Sequence, residues 1–261
     1  MKRIVLISIV ALFALATMSF TAGDGVTLRL HPNKDKTIMI VSKTSQTTVM
    51  KVQGQTMRST TTLDGRQLLN AKEVSADKIV IETQIEAIKM VNNAMGMTFT
   101  YDSDNPQSTS PMIADQANEF DKMIKKPATI TYNELGHNAN PDNLEMSQLG
   151  NVIIELPEQE LHVGSQWNYT KTQNVSDVEI SINMTCTVTK ISKKGVDFSF
   201  TGTINSKDVT GNYDGTSTID IQTGIVTAST VNSNVSMTVS EQGFDIPITI
   251  TGTTTVTVKE Q

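Results

Sequence analysis

The side chains of this chain best suited to chemistry are three histidines, one cysteine and one loop rich in oxygen donors. His31, His137 and His162 stand far apart, in no zinc-ligand spacing and beside no nucleophile motif. The sequence contains no G-x-S-x-G, no phosphate loop and no H-E-x-x-H. Cys186 lies on the apolar side of an alternating run, where a thiol serves as a small buried hydrophobe rather than a nucleophile. Asp102, Asp104 and Asn105, within Tyr-Asp-Ser-Asp-Asn-Pro, place several oxygen donors in one loop, as a calcium site requires. The same residue types end strands by bonding their own backbone, and the glycine and distal glutamate of an EF-hand are missing. The expectation is therefore a non-enzymatic protein with no cofactor and no bound metal.

Methionine is the remaining residue type that points to a function. Met90, Met95, Met97, Met112 and Met123, with Phe120, fall in or around a long strand pair and the helix expected to cover it. Flexible, polarisable side chains in that position fill a core or line an adaptable apolar groove. The helix is expected over residues 111–126. Ser110-Pro111 offers an N-cap and a proline at the first helical position, and Asp115 is acidic in the first turn. Ile113, Ala117, Phe120 and Ile124 recur at helical spacing, Lys122, Lys125 and Lys126 load the last turn, and Pro127 ends it. A second helical turn is suggested over 143–149.

The elements that must position these residues are strands. Val178, Ile180, Ile182, Met184, Cys186 and Val188 alternate with Glu179, Ser181, Asn183, Thr185, Thr187 and Thr189, the pattern of a long antiparallel strand with one wet face. Similar runs cover 196–200, 218–221, 225–239, 246–250 and 253–258. In the first half they cover 26–30, 37–42, 47–52, 56–62, 67–74, 78–88 and 95–101. Glycines 195, 211, 215, 224, 243 and 252 read as punctuation, and Gln53-Gly54, Asp64-Gly65 and Ala76-Asp77 as turns. Threonine dominates the polar positions, as suits an exposed pleat; a binding array of threonines would need a ladder on adjacent strands, which Thr251, Thr253, Thr255 and Thr257 approach. An internal echo matches residues 74–81 to 191–198, each strand, polar turn, strand. The fold class expected is mainly β, with two similar antiparallel halves forming a twisted half-barrel or sandwich and one amphipathic helix inserted around 111–126. The division is a leader over 1–22, a first half over 23–140, a linker over 141–165 and a second half over 166–261.

Lys2 and Arg3 followed by an apolar run over 4–15 and by Ala14, Ala16, Ser19 and Ala22 have the plan of an export signal, too short to span a bilayer. No cysteine lies near it for lipid attachment, so a secreted or periplasmic protein is expected, not a lipoprotein and not membrane-spanning after processing. The formal charge of the 261-residue chain is −6, and its 21 basic residues are dispersed, which leaves no footprint for nucleic acid. The lone Cys186 cannot form an internal disulfide, so the domain must rest on its hydrophobic core. Four sequons, at Asn168, Asn174, Asn183 and Asn234, matter only in a eukaryotic source.

Three stretches carry a resemblance. They are Tyr101-Asp102-Ser103 with the helix after it, Leu156-Pro157 leading to Val163-Gly164 and Trp167, and Asp220 leading to Thr223-Gly224-Ile225-Val226. On these motifs the chain resembles a family of secreted bacterial β-rich proteins of unknown function, a resemblance that spans most of the mature chain and implies a β fold but no activity. Two classes of function are carried forward. The first is an exported protein that binds or scaffolds an envelope component. The second is a carrier of a lipid or other hydrophobic small molecule, held in a groove under the helix that Met90, Met95, Met97, Met112, Phe120 and Met123 would line. A hydrolase is the least supported.

Overall fold

A computed structural model describes residues 25–52, 54–75, 77–139, 152–175, 178–241 and 244–260. The expected leader and the helical turn over 143–149 lie outside them. Eleven strands form a single sheet: β1 (Thr37–Val52), β2 (Gln55–Val74), β3 (Ile79–Ala94), β4 (Met97–Asp102), β5 (Pro127–Tyr132), β6 (Gln166–Val175), β7 (Val178–Ile191), β8 (Gly195–Asn205), β9 (Val209–Asp220), β10 (Val226–Glu241) and β11 (Phe244–Glu260). One α-helix, α1 (Ala114–Met123), sits between β4 and β5. The strand order is β4-β3-β2-β1-β11-β10-β9-β8-β7-β6, with β5 beside the start of β3, and these pairings are antiparallel. Among the described residues no pairing joins the β4/β5 edge to β6, so the sheet is a curled half-barrel that stays open.

Strict alternation gives every strand an inward and an outward face. Near the ends where β2, β7 and β10 meet the core, a plain alternation would turn apolar residues outward, and bulges correct this. The register shifts between Ala71 and Glu73, between Val188 and Lys190, and between Val226 and Ala228. The first two return Val74 and Ile191 to the inward face. Bulges also increase local twist, which helps the sheet curl. The interior strand glycines 65, 202, 211, 215 and 252 all take inward positions by register. On the concave side of a curled sheet side chains crowd, and a residue without Cβ relieves the crowding.

This placement corrects several strand boundaries. The runs 56–62 and 67–74 are one twenty-residue strand through Asp64-Gly65, and 246–250 and 253–258 are one strand through Gly252. Gly211 and Gly215 lie within β9. Residues 26–30 are an extended strap rather than a sheet strand, tied by the Val26–Leu161 bridge and by Leu30 N–H donating to Glu134 O at 2.7 Å. Ser110 caps no helix: its Oγ accepts from Thr100 N–H at 2.9 Å, and the α-helix proper starts after a 3-10 turn over Pro111–Ile113.

The core fills one end of the half-barrel. Leu28, Leu30, Val152, Ile153, Leu156 and Leu161, from the strap and from the stretch before β6, are buried against inward residues of both halves, including Ile40, Ile81, Val188, Phe198 and Ile219. Val152, Ile153, Leu156 and Leu161, placed by sequence within a linker, thus belong to the shared core. Each such side chain contributes about 1.5–3 kcal/mol by leaving water. The Asp220 turn clamps the strap: its Oδ1 accepts from Thr223 N–H at 2.8 Å and Thr223 Oγ1 at 2.9 Å, while Thr223 O receives His31 N–H at 2.8 Å. Gly224, at φ +68, lies where a Cβ would run into Arg29 O.

Candidate functional site

The six residues expected to line a groove under the helix fall into two sets. Met90 is buried with Ile85, Ile88, Tyr101 and Ala117, and Phe120 and Met123 pack on that cluster. The Phe120 ring lies 5.0 Å from that of Tyr101, whose hydroxyl donates to Asp121 Oδ1 at 2.7 Å. This is a filled satellite core. Met95, Met97 and Met112 lie outside it and are exposed. Met95 and Gly96, at φ 50 and 77, form the two-residue turn from β3 to β4, which sends the Met95 side chain into solvent. Met112, 73% exposed, sits in the 3-10 turn. The structure therefore brings together Met90, Phe120 and Met123 as packing, and separates the other three.

An unfilled apolar surface lies elsewhere. Away from the closed end, the inward positions of β7 to β11 are occupied by Ile182, Ile204, Val209, Val235, Met237, Ile246, Ile248 and Ile250, cross-strand neighbours in register. They are half-buried and belong to neither core cluster. The inward positions of β1 next to them carry Thr44, Gln46 and Thr48. No charged residue takes an inward position in β1 to β5 or β7 to β9, nor between Val226 and Val239 or between Ile246 and Val258. Some inward polar groups pair with one another, as Thr44 Oγ1 does with Thr254 Oγ1 at 3.0 Å and Ser217 Oγ, donating to Ser229 Oγ, at 2.7 Å. The result is a trough free of charge from its core end to Val239 and Ile246, closed by the core at one end, with Lys171 of β6 and Glu241 of β10 at the inward register positions on its margins.

A ring marks the boundary between core and trough. Trp167, Phe198, Phe200 and Tyr213 form a line with successive centroid separations of 5.2, 6.1 and 6.2 Å, and Tyr213 is its outermost member. The Tyr213 ring lies across Gly202, where a Cβ would run into it, and its hydroxyl donates to Asn183 O at 3.2 Å. Burial pushes this phenol up to about 12, with the Cys186 thiol adding to the effect. Burial raises the Tyr169 phenol too, with Glu155 contributing. Sequence reading assigned the facing of β7, with Ile182 on its apolar side, but not that of β8 to β11; the usable signal was that apolar alternation in 231–239 and 246–250 runs on past the length the core can bury.

The remaining candidates are occupied. Asp102 meets Lys89 at 3.0 Å, which holds its carboxyl below the usual range, and Asp104 receives the Arg66 guanidinium at 2.8 and 3.0 Å. Groups of three or more potential ligands able to hold a metal are absent among the described residues. His137 faces Glu155 at 3.5 Å on the surface. Cys186 is fully buried, and burial pushes its thiol up to about 12. At the closed end a cavity of about 170 Å³, walled by Ile38, Leu69 and Val258 with Lys36 and Asp220 at its polar side, is smaller than ligand pockets of about 300–1,000 Å³. The outward face carries a ladder across ten strands in which every residue is Thr or Asn, from Thr98 and Asn93 through Thr60, Thr47, Thr251, Asn234, Asn212, Thr203 and Asn183 to Thr170. Its members bond across neighbouring strands, as Thr98 Oγ1 does to Asn93 Oδ1 at 2.7 Å and Thr170 Oγ1 to Asn183 Oδ1 at 3.1 Å, the behaviour of a solvated pleat.

No protein-family model and no curated protein matches the chain. Among solved structures it is similar to lipovitellin, in a structure described by its lipid–protein interactions, with 8% identity and a TM-score of 0.48 over 87% of this chain and 25% of that one. The chain thus spans a quarter of the length of that protein. It is also similar to an outer membrane channel from Pseudomonas putida F1, with 10% identity and a TM-score of 0.26 over 91% of this chain and 98% of the channel. Neither similarity reaches a level at which function passes from one protein to another. No helix among the described residues is long and apolar enough to cross a membrane.

Proposed function

We propose that this protein is an exported, non-catalytic carrier of a hydrophobic ligand, and that the ligand lies in the open trough of the half-barrel rather than under the helix. The observation that carries this reading is the far stretch of the inward face of β7 to β11, where Ile182, Ile204, Val235, Met237, Ile248 and Ile250 pack on neither core and no charged residue takes an inward position between Val226 and Val239 or between Ile246 and Val258. An apolar surface of this extent on a polar-rimmed protein marks a place where another apolar body rests. Export rests on the basic, then apolar, then small-residue pattern of residues 1–22. The broader expectation of a binder at the cell envelope is narrowed to small hydrophobic molecules, because the trough is concave and the outward face is uniformly hydrated.

Two measurements test the reading on the full chain. Native mass spectrometry of protein purified from its own host should find a co-purifying lipid. A fluorescent fatty acid titrated into the delipidated protein should bind saturably at one site, and Ile250→Asp should abolish the signal. A featureless titration and an empty mass spectrum would overturn it.

A further inference from the structure

We infer that the ligand is a single unbranched acyl chain lying along the strands with its tail toward the core, and that the Tyr213 ring is the stop that sets how long a chain fits. The inference rests on the carrier reading. Among the described residues the trough is closed only at the end filled by the strap, so a chain enters from the opposite end and advances toward the core. Along β10 the open stretch beyond the Tyr213 row, from Val235 to Val239, measures about 14 Å at roughly 3.4 Å per residue. One acyl chain accounts for about 15 Å, half of a bilayer's roughly 30 Å hydrocarbon core. The open stretch therefore takes one chain at full length.

Tyr213 stands where that path ends. The inward row on its open side, with Val235, Gly211 and Ile204, is half-buried, while the row on its other side contains Phe200 and Cys186, which are buried. The ring closes the step between them because Gly202 leaves it room to lie flat and the Asn183 carbonyl fixes its hydroxyl. A chain terminus arriving there meets the ring. Removing the ring opens the next row, about 6.8 Å further along the strands, down to Phe200.

The test is displacement of the fluorescent fatty acid by saturated acids from decanoate to icosanoate. In the wild type, affinity should rise about fourfold for each added methylene, the gain from taking one CH₂ out of water, and then stop rising at a defined length. In Tyr213→Ala the plateau should move to chains longer by several methylenes, and Cys186 should become alkylated faster in the folded protein. Tyr213→Phe keeps the ring and should keep the wild-type plateau. Should the alanine variant fold poorly, Tyr213→Leu, which shortens the side chain without a void of the same size, should show the same shift in smaller degree. An unchanged plateau in folded Tyr213→Ala and Tyr213→Leu would overturn the inference and leave the carrier reading standing; absence of saturable binding by any acid in the wild type would overturn the carrier reading and this one with it.

Discussion

Cys186 and the inward phenols make the protein sensitive to alkali. Burial raises the thiol from its ordinary 9.0 to about 12, and Tyr132 and Tyr213 from 10.0 to about 12. In each case the neutral form is the one buried, so above pH 9 the unfolded chain releases protons that the folded chain retains. Their contribution to stability is whole below pH 9 and is lost as pH rises toward 12. Urea midpoints should be level near neutrality and fall steeply above about pH 9, and in Cys186→Ala the fall should begin about one pH unit higher. Iodoacetamide should label Cys186 quickly only in denaturant; fast labelling of native protein would contradict its placement between Trp167 and Phe200. Gly215 makes the same point sterically. A Cβ there would run into the Phe200 ring and Thr230 O, so Gly215→Ala should cost about 1–3 kcal/mol in unfolding free energy, whereas Thr216→Ala, one residue on and outward, should stay within about 0.5 kcal/mol.

At the scale of elements, α1 is ten residues long and too short to persist alone, so its stability is that of the surface it covers. Ala117 is buried there and Phe120 is half-buried against Tyr101. Phe120→Ala should therefore cost about 2 kcal/mol, below the 3–5 kcal/mol of a fully enclosed phenylalanine, while fatty-acid binding is unchanged. Loss of binding at undiminished stability would instead return the ligand to the helix. Much of this element was legible, since Ala117, Phe120 and Ile124 announce the stripe and Pro127 the stop. The hairpin echo was legible too: Ser75 Oγ donates to Lys78 O at 3.0 Å and Ser192 Oγ to Gly195 O at 3.0 Å, so the two matched turns close in the same way. Glycine was misleading. Gly65, Gly211, Gly215 and Gly252 resemble turn residues in a linear reading because their role, relief of crowding on a concave face, exists only once neighbouring strands are in register. The trough escaped for the same reason, since Val235 and Ile250 become one surface only across the β10–β11 pairing.

The whole molecule has unequal ends. Strands of up to twenty residues meet the main core in their near halves, so the far halves of β7 to β11, beyond the reach of the satellite core under α1, are held by backbone pairing and by contact along one face. Amide protection should decline along each strand from the core toward the open end, and a bound chain should raise it there. The two faces of the far half can then be separated by one step along β10. Val235 points inward beside Ile250 and Gly211, and Ser236 points outward beside Thr249 and Thr210. Val235→Asp sets a carboxylate into the charge-free trough, where an acyl chain would have to cover it without pairing it; Ser236→Asp adds the same charge to a hydrated pleat. Neither position belongs to a buried cluster, so both variants should unfold close to the wild type without ligand. With a fatty acid at about one hundred times its dissociation constant, the wild type and Ser236→Asp should gain about 2.7 kcal/mol of stability, read as a rise in unfolding temperature, and Val235→Asp should gain almost none. Equal gains in all three would place the bound chain off the inward face of β10, and equal losses in both aspartate variants would make net charge, rather than the trough, the determinant of binding.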